Sequence, residues 1–174
     1  AALDETRRLY EASRAVTIPE TVQEVYVVGA EHLAAPLSSL LQLSFALATP
    51  LPSVESNHFN FVYIWSHDSG GRAGNPSEDI AFGKLVEERG GSTVYLASQA
   101  EIFALDPEYE RVLTHHNATS IAIIPMRTQS AWLGVVILEA EQTGAFNEQY
   151  LRFAQTLADQ IAITLENRLL FQEA

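Results

Sequence analysis

The 174-residue sequence contains no cysteine. Disulfides, thiolate nucleophiles, cysteine zinc sites and thioether attachment of a cofactor are all excluded by that one absence. A reducing cytoplasm is compatible with it. Positive charge is scarce as well: 10 Lys and Arg stand against 22 Asp and Glu, for a net charge of −12. So acidic a chain has little with which to neutralise phosphates, which argues against a nucleic-acid partner. No apolar run approaches the ~18 residues of a membrane span, and no signal-peptide pattern is present, so no membrane association is expected. What is there is ordinary: 47% hydrophobic and 18% charged residues, in a chain of one domain's length that can bury a proper core. The chain is read as a single domain over residues 1–174, and its helical ends suggest a piece of a longer protein.

The most legible stretch is 119–174. Ser120-Ile121-Ala122-Ile123-Ile124-Pro125-Met126 and Trp132-Leu133-Gly134-Val135-Val136-Ile137-Leu138 read as two strands joined by a short polar break. Both are apolar on both faces, which predicts a central hairpin with material on either side. Asn147 is the candidate N-cap of a helix that then runs to about residue 172 without Gly or Pro. Leu151, Ala154, Ala158, Ile161, Leu165 and Arg168 fall close to a heptad seam on it, with Phe153, Leu157 and Thr164 on a neighbouring stripe. One stripe can cover the sheet and the other can meet a partner. The predicted homodimer interface is therefore Ala154, Ala158, Ile161 and Leu165, with Leu9 and Val16 of the first helix alongside, as a four-helix bundle across a two-fold axis.

In chain order, residues 3–16 read as a helix. A second is expected to start near Pro19 with Thr17 as a possible cap, and to end before Pro36; Gly29 within it marks a close contact. Leu41 to Leu47 and Phe59 to Trp65 alternate with period two and form a strand pair. Residues 67–76 read as a turn and 78–89 as a helix capped by Ser77. A short strand is expected at 93–97, an irregular stretch at 98–107 and a short helix at 107–115. The order predicts an α+β domain: one mainly antiparallel sheet with helices on both faces and long N- and C-terminal helices. The first and last helices should share one face, and those near 78–89 and 107–116 the other.

Residues that invite chemistry have plainer readings beside them. His115 and His116 are adjacent, so a regular helix turns them about 100° apart and one metal ion would hardly take both. His58 and His67 bracket a strand, and either is a conceivable axial haem ligand, with nothing around them to mark a haem site. Ser69-Gly70-Gly71 lacks the spacing of a nucleophile elbow. Asn117-Ala118-Thr119 is read as a chance sequon. Glu87-Glu88 and the Glu139/Glu141 pair suggest acid–base work but read more simply as a solvated edge. Phe59, Phe61, Tyr63 and Trp65 form a stripe that can be core or pocket wall.

The strand carrying Pro125, the strand opened by Gly134, Phe146 and the helix ending Leu165-Glu166-Asn167-Arg168-Leu169 resemble, in that order, the closing third of the GAF family of sensory domains. The helix, Gly break and strand from Gly83 to Ser98 resemble its middle. The resemblance implies a GAF-like, PAS-related fold, and a cytoplasmic ligand-sensing or dimerising module that passes changes through its terminal helices to an output domain. It also implies a small molecule held non-covalently near Phe82, Tyr95, Phe103, Tyr109 and Ser120. Departures narrow it. Covalent bilin attachment and the free-methionine-sulfoxide reductase activity of this fold need cysteines, and Phe146-Asn147-Glu148 does not reproduce the Asn-Lys…Phe…Asp-Glu motif of cyclic-nucleotide binders. The cofactor is left unassigned, no metal site is expected, and the chain is expected to have no catalysis of its own. A pocketless structural module is the alternative reading, and a small enzyme is a further one.

Overall fold

The computed structural model describes residues 2–48, 58–74, 79–113 and 118–173. Helix α1 (Ala2–Ala15) buries Ala12, with Val16 buried just beyond its end. The Thr17 hydroxyl donates to the carbonyl of Arg14 at 2.8 Å and closes that helix rather than opening the next. Helix α2 (Val22–Ala34) starts later than expected, because its cap is Thr21, whose Oγ1 accepts from the Glu24 amide at 3.2 Å. Strands β1 (Leu40–Ala48) and β2 (Phe59–Ser66) pair antiparallel. The stretch read as a turn at 67–76 contains strand β3 (Gly70–Ala73), folded back on β2 by a turn with Gly70 at φ 65°. Strand β4 (Asp79–Ile80) also pairs with β2, and helix α3 (Phe82–Glu88) begins only after it. Ser77, the cap proposed for that helix, lies outside the described residues.

Strand β5 (Val94–Leu96) leads into helix α4 (Gln99–Phe103), where no element was expected. The signal is a Ser-x-x-Glu cap: Ser98 Oγ accepts from the Glu101 amide, and the Glu101 carboxylate accepts from the Ala97 amide at 2.6 Å. Helix α5 (Pro107–Leu113), strands β6 (Ser120–Arg127) and β7 (Trp132–Ala140), and helix α6 (Glu148–Glu173) complete the chain. Asn147 caps α6 as expected, its Oδ1 accepting from the Tyr150 amide at 2.7 Å.

The sheet order is β3-β2-β1-β7-β6-β5, antiparallel throughout, with β4 beside β2. Strand β7 lies between β1 and β6, so the β6–β7 hairpin is interior, as its two apolar faces require. Gly134 allows this approach: a Cβ there would sit 2.0 Å from the Ala46 carbonyl oxygen. On one face α1, α2 and α6 pack over Leu43, Phe45, Ala122, Ile124, Val136 and Leu138. Gly29 brings α2 against α6, with a Cβ at that position only 2.9 Å from Ile161 Cδ1. On the other face α3, α4 and α5 pack over Phe59, Phe61, Ile121, Ile123, Val135 and Ile137. The result is the expected α+β architecture, with helices on both faces of one antiparallel sheet.

The aromatic run of β2 does not make one stripe. The β1–β2 register shifts between Phe45 and Ala46, which reverses the parity of the side chains. Phe59 and Phe61 therefore join the short-helix face, while Tyr63 and Trp65 join the long-helix face.

Candidate functional site

Alternation along β1 and β7 sets the most unusual group in the molecule. With Ala46 and Ala48 on the short-helix face, period two puts Gln42 and Ser44 there too; with Val135 and Ile137 there, it adds Glu139. Gln42 and Glu139 are paired across the two strands. All three are buried, Glu139 to 2% exposure and Gln42 to 8%. Gln42 Nε2 donates to Glu139 Oε2 at 2.9 Å and to Ser44 Oγ at 3.4 Å. The other oxygen of each partner, Glu139 Oε1 and Gln42 Oε1, has no hydrogen-bond donor. Burial pushes the Glu139 carboxyl up to about 8, against a smaller lowering by the Gln42 hydrogen bond. The sequence reading placed Glu139 with Glu141 on a solvated edge. That is corrected: Glu141 is exposed, but Glu139 is buried on interior strand β7, between Gln42 of β1 and Ile121 of β6. The signal available was its place directly after a run predicted to be covered on both sides, since β7 continues through Glu139 to Ala140.

The five residues expected around a ligand do not come together. Phe82 and Tyr109 share the short-helix core, ring centroids 6.3 Å apart, and the Tyr109 hydroxyl donates to the Ala81 carbonyl at 2.9 Å. Tyr95 points the other way, between Val94 and Leu96, and its ring meets Phe146 edge-on on the long-helix face. Ser120, on that same face by parity with Ala122, donates to the Gln142 carbonyl at 2.6 Å. Phe103 is 55% exposed. Grouping these residues by closeness in sequence ignored the period of two in β5 and β6.

The expected dimer seam is also corrected. Val16, Ala154, Ala158, Ile161 and Leu165 are all fully buried within the single chain, in the core between α6, α1, α2 and the sheet. Leu9 is half-buried and lines a groove of about 310 Å³ between α1 and α6, with Glu5, Arg8, Tyr150 and Phe153. Among the described residues the large apolar side chains left outside on α1 and α6 are Leu3, Tyr10, Ile163 and Leu170.

His58 and His67 are exposed at opposite ends of β2, about 30 Å apart along an eight-residue strand and its flanks. They cannot serve one haem together. The ring of His67 lies against Trp65. His115, His116 and Asn117 fall outside the described residues. Glu87 accepts from Arg127, whose guanidinium also donates to the Gly91 carbonyl and lies 4.0 Å over the Trp132 ring. That contact joins the α3–β5 turn to the hairpin. Among the described residues no helix is long and apolar enough to cross a membrane.

One layer of long packed helices, a central antiparallel sheet and a second layer of short, separately started helices define a three-layer α+β domain. Within that class the chain belongs to the GAF domain family, whose model matches residues 2–165. Several solved structures share the fold. The GAF domain of a phosphoenolpyruvate-protein phosphotransferase from Coxiella burnetii aligns with a TM-score of 0.73 at 16% identity, over 99% of both chains. The chromophore-binding domain of an unusual bacteriophytochrome from R. palustris gives 0.73 at 5% identity, over 98% of this chain and 63% of that one. The free methionine-R-sulfoxide reductase from Neisseria meningitidis, solved with its substrate, gives 0.68 at 14% identity, over 96% and 91%. A search of curated proteins finds no match. Family membership makes this a module of the sensing and signalling kind. The reductase overturns the expectation that such a chain has no catalysis of its own, because enzymes are built on this same fold.

Proposed function

We propose that the chain is the small-molecule-sensing module of a cytoplasmic, multidomain signalling protein, holding its ligand over the short-helix face of the sheet. The observation that carries this reading is the pair of buried acceptors without donors, Glu139 Oε1 and Gln42 Oε1. Each such group costs about 1–3 kcal/mol in an unliganded interior. A module that only joined helices would be better served by apolar residues at these positions. A chromophore-binding domain among the structural neighbours supports a ligand in this fold.

Dimerisation and onward signalling are part of the same reading. Leu3 and Tyr10 are spaced by seven residues on α1, Ile163 and Leu170 by seven on α6, and all four are exposed. That spacing repeats on one side of a helix, and it suits a partner copy better than the buried seam first expected. A ligand that orders the short-helix layer would be felt by α6 through the sheet and passed on to an output domain.

Protein-observed NMR screening against a library of neutral, cationic and anionic fragments tests the ligand site. Amide shifts gathered on residues 42–46 and 135–139 are the expected result. If every binder settles elsewhere, for instance in the α1–α6 groove, or if none binds, the sensing site is misplaced.

A further inference from the structure

The two orphan atoms say more than that something binds. Both are acceptors, they belong to side chains that touch each other, and each side chain is more than nine-tenths buried. Turning the Gln42 amide over does not resolve them. A protonated Glu139 could then donate through Oε2 to the Gln42 carbonyl, but Glu139 Oε1 would remain without a donor. Among the described residues no Lys or Arg pairs with Glu139, and no charged neighbour contributes to the shift of its carboxyl. The site therefore offers one carboxylate and one amide carbonyl, with neither a cation nor a donor to complete them.

Farther along the same face, opposite Ala46 and so four residues along β1 from Gln42, Phe61 begins an aromatic cluster with Phe82 and Tyr109. The surplus of 22 acidic over 10 basic residues adds a long-range field that favours a cation.

Resting on the sensing site proposed above, we infer that its ligand presents a positively charged, hydrogen-bond-donating nitrogen, an amidinium, guanidinium or primary ammonium group, to Glu139 and Gln42. Two N–H groups of one planar cation can satisfy the two orphan oxygens together, and the cation takes the place of the proton that burial otherwise keeps on the carboxyl. A charge-assisted hydrogen bond in a dry site is about twice as strong as a neutral one, which makes charge the property read.

The probes are benzamidinium, its neutral analogue benzamide and the anion benzoate, titrated into the wild-type domain and followed by amide shifts of residues 42, 44 and 139. Benzamidinium is expected to bind about tenfold or more tightly than benzamide, and benzoate not at all. The Glu139→Gln variant should lose that preference while keeping benzamide within about twofold. Gln42→Met, of similar volume, should weaken benzamidinium by several-fold. Should Glu139→Gln not fold, the selectivity of the wild type decides by itself. Benzamide binding as well as benzamidinium, or preference for the cation surviving in folded Glu139→Gln, overturns the inference. The sensing site would still stand if the fragment screen finds binders on this face, and both readings fall if that screen finds none there.

Discussion

Glu139 and Gly134 lie five positions apart on one strand, and each is intelligible only from what faces it. Gly134 has the Ala46 carbonyl where a side chain would go. Glu139 has Gln42 on one oxygen and no donor on the other. The carboxyl of Glu139 is raised from 4.5 to about 8 by burial, so the folded state holds its proton more tightly than the unfolded chain does. Its contribution to stability is complete below pH 4.5, declines as pH rises, and is lost once pH passes about 8. The slope in that window is about 1.4 kcal/mol per pH unit. Other carboxylates impose their own pH dependence, so the useful quantity is the difference between wild type and Glu139→Gln. Urea unfolding of both proteins across the window should show the wild type losing ground to the variant as pH rises, then a plateau. A difference that stays flat with pH would mean that Glu139 titrates as an ordinary exposed carboxylate.

Helix α6 works as a strut between three parts of the chain. Its inner side is core, with Ala154, Leu157, Ala158, Ile161 and Leu165 all fully buried. Tyr150 donates to the Leu33 carbonyl at 2.7 Å and ties the start of α6 to the end of α2. The Glu166 carboxylate accepts from Thr128 at 2.7 Å and from Ser130 at 3.0 Å, fixing the β6–β7 turn. Arg168 donates through Nε to the Pro19 carbonyl at 2.8 Å and through its terminal nitrogen to Thr17 at 3.0 Å. The α1–α2 connection is thus held from a helix about 150 residues away in sequence. Replacing Arg168 by Ala should cost about 1–2 kcal/mol, since the donor is charged but its acceptors reach water once released. Amide hydrogen exchange is expected to speed up at residues 17–21 while the sheet keeps its protection. Uniform acceleration through the whole domain would show instead that the contact supports global stability and not this connection.

For the molecule as a whole the assembly question has two opposed sets of residues. Ile161 and Leu165 are inside the fold, so Ile161→Glu with Leu165→Glu places two charges in a core and should abolish the cooperative thermal transition. Ile163 and Leu170 are 47% and 52% exposed, and Ile163→Glu with Leu170→Glu should leave circular dichroism and melting near those of the wild type. Sedimentation velocity over a wide concentration range is expected to show self-association of the wild type that this second pair of substitutions removes. A wild type that stays monomeric at every concentration, or a variant that associates as before, would sink the terminal-helix dimer.

What the sequence determined alone are the features that depend on near neighbours. The order of the principal elements, without β3, β4 and α4, the interior position of the β6–β7 hairpin, the Asn147 cap and the long last helix are set by periodicity, by caps and by the absence of Gly and Pro from residues 148–172. The assignment of helices to the two faces followed from that order, and the resemblance carried by residues 83–98 and 120–169 pointed to the family. The Ser98–Glu101 cap is equally local and equally readable. Tertiary structure decided the rest. One register shift against β1 sends Phe61 and Tyr63 to opposite faces, although they are two apart and would share a face in a regular strand. Tyr95 parts from Phe82 because ordinary alternation in β5 turns it away from Val94 and Leu96, toward the long-helix face. The heptad pattern on α6 describes a stripe but not what covers it, and the sheet and α2 covered the stripe first assigned to a partner. Glu139 is the sharpest case, because a carboxylate beside an exposed carboxylate reads as surface. Only the tertiary structure, which sets it between β1 and β6, decides that it is buried, since burial belongs to what packs against a side chain and not to its neighbours along the chain.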